Sequence, residues 1–285
     1  MNANFFLMTL CLIIIQPLHA QKPSYQDAMK IVAKKYTGKE GKVVPLGDSI
    51  THANPSTRWA RMGKGKTKEE KEISKWMNAG KTDKSNGWWL AIDDQARGRS
   101  WTAEIGIRSG GFMKGGKYGL PPLAKILKEH NPQIALILLG TNDLGMRVPP
   151  ETFLANMKKI YLACMANGTI PVVQTVPPVM GWDRIGNIAK YNAGLKKLAA
   201  ELKIPIIDVH GEFLKRQPNK KWYLSLIVKD GAHFTNNFAS GPATESNLKN
   251  CGNLLRCYLM VHKVMEIKKA VLDKKVLGKA EKPKP

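Results

Sequence analysis

Inside the chain, the run Ile134–Leu139 (IALILL) offers no polar position to either face of an extended strand. A strand without alternation is buried on both sides, as the central strand of a parallel sheet is. Around it, short apolar and β-branched runs predict further strands at Lys42–Leu46, Thr102–Ile107 (the weakest), Ile170–Thr175 and Ile204–Val209. Between them, helical periodicity predicts helices over Pro122–His130, Pro150–Asn167 and Ile188–Leu202, and a final long helix after Glu245. Strands alternating with helices imply an α/β fold whose parallel sheet is covered on both faces. In open sheets of this kind, sites form beyond the carboxyl ends of the strands, so the residues that follow each strand are where chemistry is expected.

Three of those positions carry polar turns. The first strand runs into Gly47-Asp48-Ser49-Ile50-Thr51, where a glycine and a small serine at a strand-to-helix turn expose a hydroxyl. Taken alone, Gly-Asp-Ser is also an ordinary turn. The central strand runs into Gly140-Thr141-Asn142-Asp143, which brings an amide donor to the same edge, or simply caps a helix. Near the end, Asp230-Gly231-Ala232-His233 places a carboxylate and an imidazole three apart. There the carboxylate can orient the ring through Nδ1 and leave Nε2 free for a nucleophile.

Together, in this order and spacing, the three blocks resemble those of the SGNH (GDSL-type) hydrolase family, from about Lys42 to Thr235. The resemblance implies a three-layer α/β/α sandwich with a flavodoxin-like, five-stranded parallel sheet. It implies Ser49 as nucleophile, with Asp230 and His233 as its relay. The oxyanion hole would combine the backbone N–H of Ser49, a glycine N–H and the Asn142 amide. The glycine is expected at Gly106, within Glu104-Ile105-Gly106-Ile107-Arg108-Ser109-Gly110, with Gly110 as the alternative. Here the chain departs from the family pattern, which has Asn where this sequence has Glu104. No metal or organic cofactor is implied, and no Cys/His cluster has metal-ligand spacing.

The other histidines have plainer readings. His52 either lines the site or sits on a helix surface, and His130 marks a helix end. Asp208 and His210 share a strand face but rank below Asp230 and His233 as catalytic groups.

At the N-terminus, Phe5–Ile15 is apolar apart from Thr9, and Ala20 precedes polar sequence. That length suits a signal-peptide core and is short for a membrane span. The expected organisation is a signal peptide over 1–20, the hydrolase domain over 21–267 and a Lys-rich flexible tail over 268–285, in a secreted or periplasmic protein without stable membrane insertion. Without the leader three cysteines remain, Cys164, Cys251 and Cys257, and whether Cys251 and Cys257 pair stays open.

Charge narrows the partners. Across 285 residues, 45 Lys and Arg against 22 Asp and Glu give a net charge of +23. Such an excess suits an anionic polymer or a merely solvated surface, and the export signal and the lack of a nucleic-acid motif disfavour nucleic acid. Five of the seven tryptophans, Trp59, Trp76, Trp88, Trp89 and Trp101, lie among basic residues between His52 and Trp101. Aromatics beside cations suit an acidic sugar chain. Exported members of the family often remove acetyl groups from polysaccharides, so O-deacetylation of an acetylated carbohydrate is the expected activity. A lipase, lysophospholipase or arylesterase is the alternative within the same chemistry, and a non-catalytic carbohydrate-binding module the alternative outside it.

Overall fold

A computed structural model describes residues 25–52, 54–77 and 102–273. The expected signal peptide, Trp88, Trp89, Trp101 and most of the Lys-rich tail lie outside them.

The chain enters through α1 (Tyr25–Ala33) and reaches β1 (Val43–Gly47), followed at once by α2 (Ser49–His52). Helices α3 (Arg58–Met62), α4 (Lys68–Trp76), α5 (Ser109–Phe112) and α6 (Leu123–His130) precede β2 (Ile134–Leu138). Then come α7 (Thr141–Gly145), α8 (Pro150–Ala166), β3 (Ile170–Gln174), α9 (Ile188–Leu202), β4 (Ile206–Ile207) and α10 (Val209–Arg216). The C-terminal helices are α11 (Glu245–Asn250) and α12 (Gly252–Ile267). All strand pairs are parallel, in the order β1-β2-β3-β4. Every residue of β1, β2 and β3 is buried, as the continuous apolar runs require. Helix α8 packs with α5, α6 and α9, while α12 packs with α3, α4 and α11. The architecture is an α/β/α sandwich, as the resemblance implies.

Two prolines show how the sheet tolerates a missing donor. Gly47 donates its N–H away from β2, to the Thr102 carbonyl. Pro45, two residues earlier, faces that same side, where the sheet offers only one bridge, Gly47 to Ala103. Likewise Val173 donates to the Pro205 carbonyl, so Pro171 faces that side below the start of β4.

The expected strand over Thr102–Ile107 is reduced to that single bridge at Ala103. Glu104 returns an N–H to the Gly47 carbonyl, and the chain then turns away. Four strands therefore stand, among the described residues, where five were expected. The strand expected over Ile204–Val209 is cut to Ile206–Ile207, because the Asp208 side chain accepts the Gly211 N–H and starts α10. The long final helix is broken at Cys251, whose backbone is extended. The break frees the first turn of α12 to bind the loop before it. Gly252 N–H reaches Thr235 Oγ1 at 2.9 Å, and the Asn253 amide reaches the carbonyls of Phe234 and Thr235 at 3.2 Å. Cys164, Cys251 and Cys257 are free and buried, so Cys251 and Cys257 do not pair. Beyond Ile267, residues Lys268–Leu272 add a π-helical turn that packs on α1 and buries Val271. The packed body thus continues into the segment expected to be a free tail. No described helix is long and apolar enough to cross a membrane.

Candidate active site

Ser49 is the first residue of α2, two positions beyond the end of β1. The turn is stiffened from below. Buried Asp48 accepts the Ile50 N–H through Oδ1 at 3.0 Å. Burial pushes its carboxyl up to about 6, against the pull of that N–H and of the Arg256 cation. Arg256 is itself fully buried and donates to Gln174 Oε1 (2.8 Å), the Ile50 carbonyl (3.3 Å) and Thr51 Oγ1 (3.0 Å). Burial lowers its pKa to about 10, opposed by Asp48, which leaves it a cation at neutral pH. One guanidinium thus ties α12 and the end of β3 to the helix that carries the serine.

The loop after Trp222 brings the histidine over that serine. Val228 N–H bonds the His233 carbonyl, and Thr235 N–H bonds the Leu226 carbonyl, closing a tight lobe. Asp230 Oδ1 accepts the N–H groups of Ala232 (2.9 Å) and His233 (3.0 Å). Gly231 has φ of +80°, and a Cβ there would lie 2.1 Å from the Met180 carbonyl oxygen, so only glycine fits between Asp230 and Ala232. His233 Nδ1 lies 2.7 Å from Asp230 Oδ2, and Nε2 lies 2.8 Å from Ser49 Oγ. Nδ1–H donates to the carboxylate, so Nε2 is the acceptor for the serine hydroxyl. Desolvation raises the Asp230 pKa, but the two backbone N–H bonds and the imidazole outweigh it and hold the carboxyl below its ordinary value. The His233 and Asp230 side chains stay 41% and 45% exposed, which leaves the serine open to an incoming ester.

Asn142 follows β2 in the first turn of α7 and points at the same turn. Its Nδ2 donates to the Ile107 carbonyl at 3.1 Å and, more weakly, to Asp48 Oδ2 at 3.4 Å. Next to it, buried Asp143 joins α7 to α5, accepting Ser109 Oγ–H at 2.6 Å and Ser109 N–H at 3.0 Å. Burial raises the Asp143 pKa, opposed by these Ser109 bonds. The clamp holds the 104–108 loop against Asn142. Gly106 lies on this loop with φ of +76°, in open space, and borders the same cleft as Asn142. Gly110 sits inside α5, where its Cβ position faces the Asn156 amide of α8. Of the two glycines, Gly106 is the one at the cleft. Glu104, which replaces the usual Asn, is buried and accepts the Leu120 N–H at 2.9 Å, bracing the neighbouring loop.

The other described histidines lie outside the serine–imidazole–carboxylate line. His210 Nδ1 bonds the Val176 carbonyl at the start of α10, while Asp208 pairs with Lys196 at 2.5 Å. His130 is buried at the end of α6. His52 is half-buried at the end of α2, and burial lowers its pKa, opposed by the charge of Glu104. The tryptophans of the basic segment that are described also pack structurally. Trp59 is fully buried against Tyr258. Trp76 donates to Glu40 and lies under Lys268. Among the described residues, the tryptophan beside the site is Trp182, whose Nε1–H bonds the Asp230 carbonyl at 2.9 Å. It lines an open cleft of about 500 Å³ together with Asn142, Gly106, Arg108, Met146 and Arg184. Sequence reasoning passed over Trp182 because its loop has no periodicity. It passed over Arg256 too, although a lone Arg in the apolar run Leu254–Val261 was a usable signal. Among the described residues, no group of three or more His, Cys, Asp or Glu could hold a metal ion.

The model of the GDSL-like lipase/acylhydrolase family matches residues 46–237, and no curated protein matches. A carbohydrate esterase family 3 protein from Talaromyces cellulolyticus has a similar structure, with a TM-score of 0.54 and 14% identity, covering 80% of this chain and 98% of that one. A mutant acetyl esterase with a bound acetate ion gives 0.53 and 14%, with the same coverage of 80% and 98%. A GDSL-like lipase from Bacteroides thetaiotaomicron gives 0.48 and 17%, covering 87% of this chain and all 100% of that one. At such identities the structural likeness shows the fold alone. The family match, by contrast, spans the serine turn, the Asn142 turn and the Asp230–His233 lobe, and this chain therefore belongs to the GDSL-like lipase/acylhydrolase family of ester hydrolases.

Proposed function

We propose that the protein is a serine esterase that removes O-acetyl groups from a polysaccharide or oligosaccharide. One observation carries the chemistry: Ser49 Oγ, the His233 ring and the Asp230 carboxylate lie in an unbroken hydrogen-bonded line, at 2.8 and 2.7 Å. As Oγ attacks the ester carbonyl, His233 Nε2 takes its proton, and Asp230 stabilises the imidazolium. The negative charge on the former carbonyl oxygen is met by the backbone N–H groups of Ser49 and Gly106 and by Asn142. The Asn142 bond to Asp48 is the longer of its two and is the one the oxyanion replaces. Losing one such donor costs about a hundred- to a thousandfold in rate. When the tetrahedral intermediate collapses, the imidazolium returns the proton to the departing sugar oxygen. Water then attacks the acetyl-serine, His233 takes the water proton and passes it to Ser49 Oγ, and acetate leaves.

The acetyl-sugar reading is supported by the open cleft with Trp182 in its wall and charged groups at its rim, which suits a sugar better than a fatty acyl chain. Two proteins of the same fold are named for carbohydrate ester and acetyl ester hydrolysis. Acetate release from acetylated oligosaccharides, compared with hydrolysis of p-nitrophenyl esters of rising chain length, tests this. Acetyl esters are expected to be the best substrates, and Ser49→Ala is expected to lower their turnover at least about a thousandfold with the fold intact. A preference for long acyl chains would move the protein to the lipase alternative, and a folded Ser49→Ala variant with near-normal turnover would remove Ser49 as nucleophile.

A further inference from the structure

The groove beside the serine carries charge of one sign at its edge. Arg108 and Arg184 are exposed on the cleft that Asn142 and Gly106 also line, and neither forms an ion pair among the described residues. The groove continues past Gly106 and Arg108 into a second depression of about 350 Å³, where Lys117 lies over the exposed ring of Tyr118. Carboxylates are near, but each is already engaged. Asp143, whose charge Arg108 feels, is buried on Ser109. Glu104 is buried on Leu120 N–H. Asp183 accepts the N–H groups of Asn187 and Ile188 at 2.8 and 3.0 Å. Trp182 is fixed as a wall by its bond to Asp230, and one side of its ring packs on Gly145.

From this arrangement we infer that the cleft takes a sugar bearing a carboxylate, a uronic-acid unit, with Arg108 and Arg184 as specificity residues for the alcohol side of the ester. The inference rests on the esterase reading for its reaction but not for its binding chemistry. A planar guanidinium binds a carboxylate through two parallel N–H bonds, which gives orientation as well as attraction. An acetyl group fills only a small part of a 500 Å³ cleft, which leaves room for the sugar. The arginines lie beside the oxyanion donors, where holding the sugar also sets which acetyl group meets Ser49.

The test compares acetylated oligogalacturonide with acetylated xylo-oligosaccharide, which is neutral. The wild-type protein is expected to favour the acidic substrate in kcat/KM by at least about tenfold at low salt, chiefly through KM. That ratio should collapse in about 1 M salt, where the Debye length falls to about 3 Å. It should also fall at least about tenfold in the Arg108→Gln, Arg184→Gln double variant, because both charge-assisted contacts are lost. A ratio near one in the wild type, or one that the double variant leaves unchanged, overturns the inference. Binding is read separately in the Ser49→Ala background by calorimetry with unesterified oligogalacturonide, with and without the two arginine substitutions. If no ester is turned over but the arginines still set this affinity, the esterase reading fails and the acid-sugar cleft stands. If esters are turned over and the affinity ignores the arginines, the cleft inference fails alone.

Discussion

At the scale of single residues, one carboxylate sets the state of the whole relay. Asp230 spends Oδ1 on two backbone N–H groups and Oδ2 on the His233 ring. Desolvation acts to raise its pKa, and those bonds overcome it, so the carboxyl ionises below its ordinary value. As pH falls, Asp230 therefore keeps its charge further into the acid range than an ordinary carboxylate does. The acid limb of log kcat/KM for p-nitrophenyl acetate is expected to approach a limiting slope of one and then level off, as loss of a single proton requires. A slope approaching two would mean that Asp230 loses its charge together with the imidazole. The Asp and His were legible in the sequence because they sit three apart in one turn. Trp182 was not, because its partner, the Asp230 carbonyl, is distant in the chain; Arg256 stands out as a lone charge in an apolar run, but only the fold shows that its partner is the α2 turn.

At the scale of elements, the site is assembled by ties between short helices that have little stability alone. The Asp143–Ser109 clamp joins α7 to α5 and so holds Asn142 and the Gly106 loop at one cleft. Asp143→Ala leaves the buried Ser109 O–H and N–H donors without their acceptor, which costs about 1–3 kcal/mol. Urea denaturation is expected to show that loss, and kcat is expected to fall with little change in KM as the oxyanion donors drift. Unchanged stability and unchanged kcat would show that the clamp holds nothing. Central elements were legible to within a residue or two, because β2 and β3 are continuous apolar runs and α8 and α9 are long and periodic. The edges were not. The expected strand over Thr102–Ile107 has one neighbour and leaves it after one bridge, and the end of Ile204–Val209 is claimed by the Asp208 cap. Periodicity is also blind to the break at Cys251, which exists to dock α12 on the loop behind His233.

At the scale of the whole molecule, the net charge of +23 and the tryptophan-rich segment first suggested where a sugar would be gripped. The segment's described members Trp59 and Trp76 pack within the body, and among the described residues the aromatic and cationic groups beside the serine come from the loops after β2 and β3 and from the 104–108 loop. Composition reports how much charge a chain carries; only topology reports which of it faces the site. The same topology brings together three turns spread from Gly47 to His233, so that Ser49 stands alone beside a bonded imidazole. The most direct measurement is to treat the full chain with a fluorophosphonate and locate the adduct by peptide mass spectrometry. The expected result is one phosphonylated residue, Ser49, with ester hydrolysis lost in step with labelling and with His233→Ala slowing the labelling at least about a hundredfold. Full labelling of Ser49 with hydrolysis intact, or hydrolysis lost while Ser49 stays unmodified, would contradict Ser49 as the nucleophile.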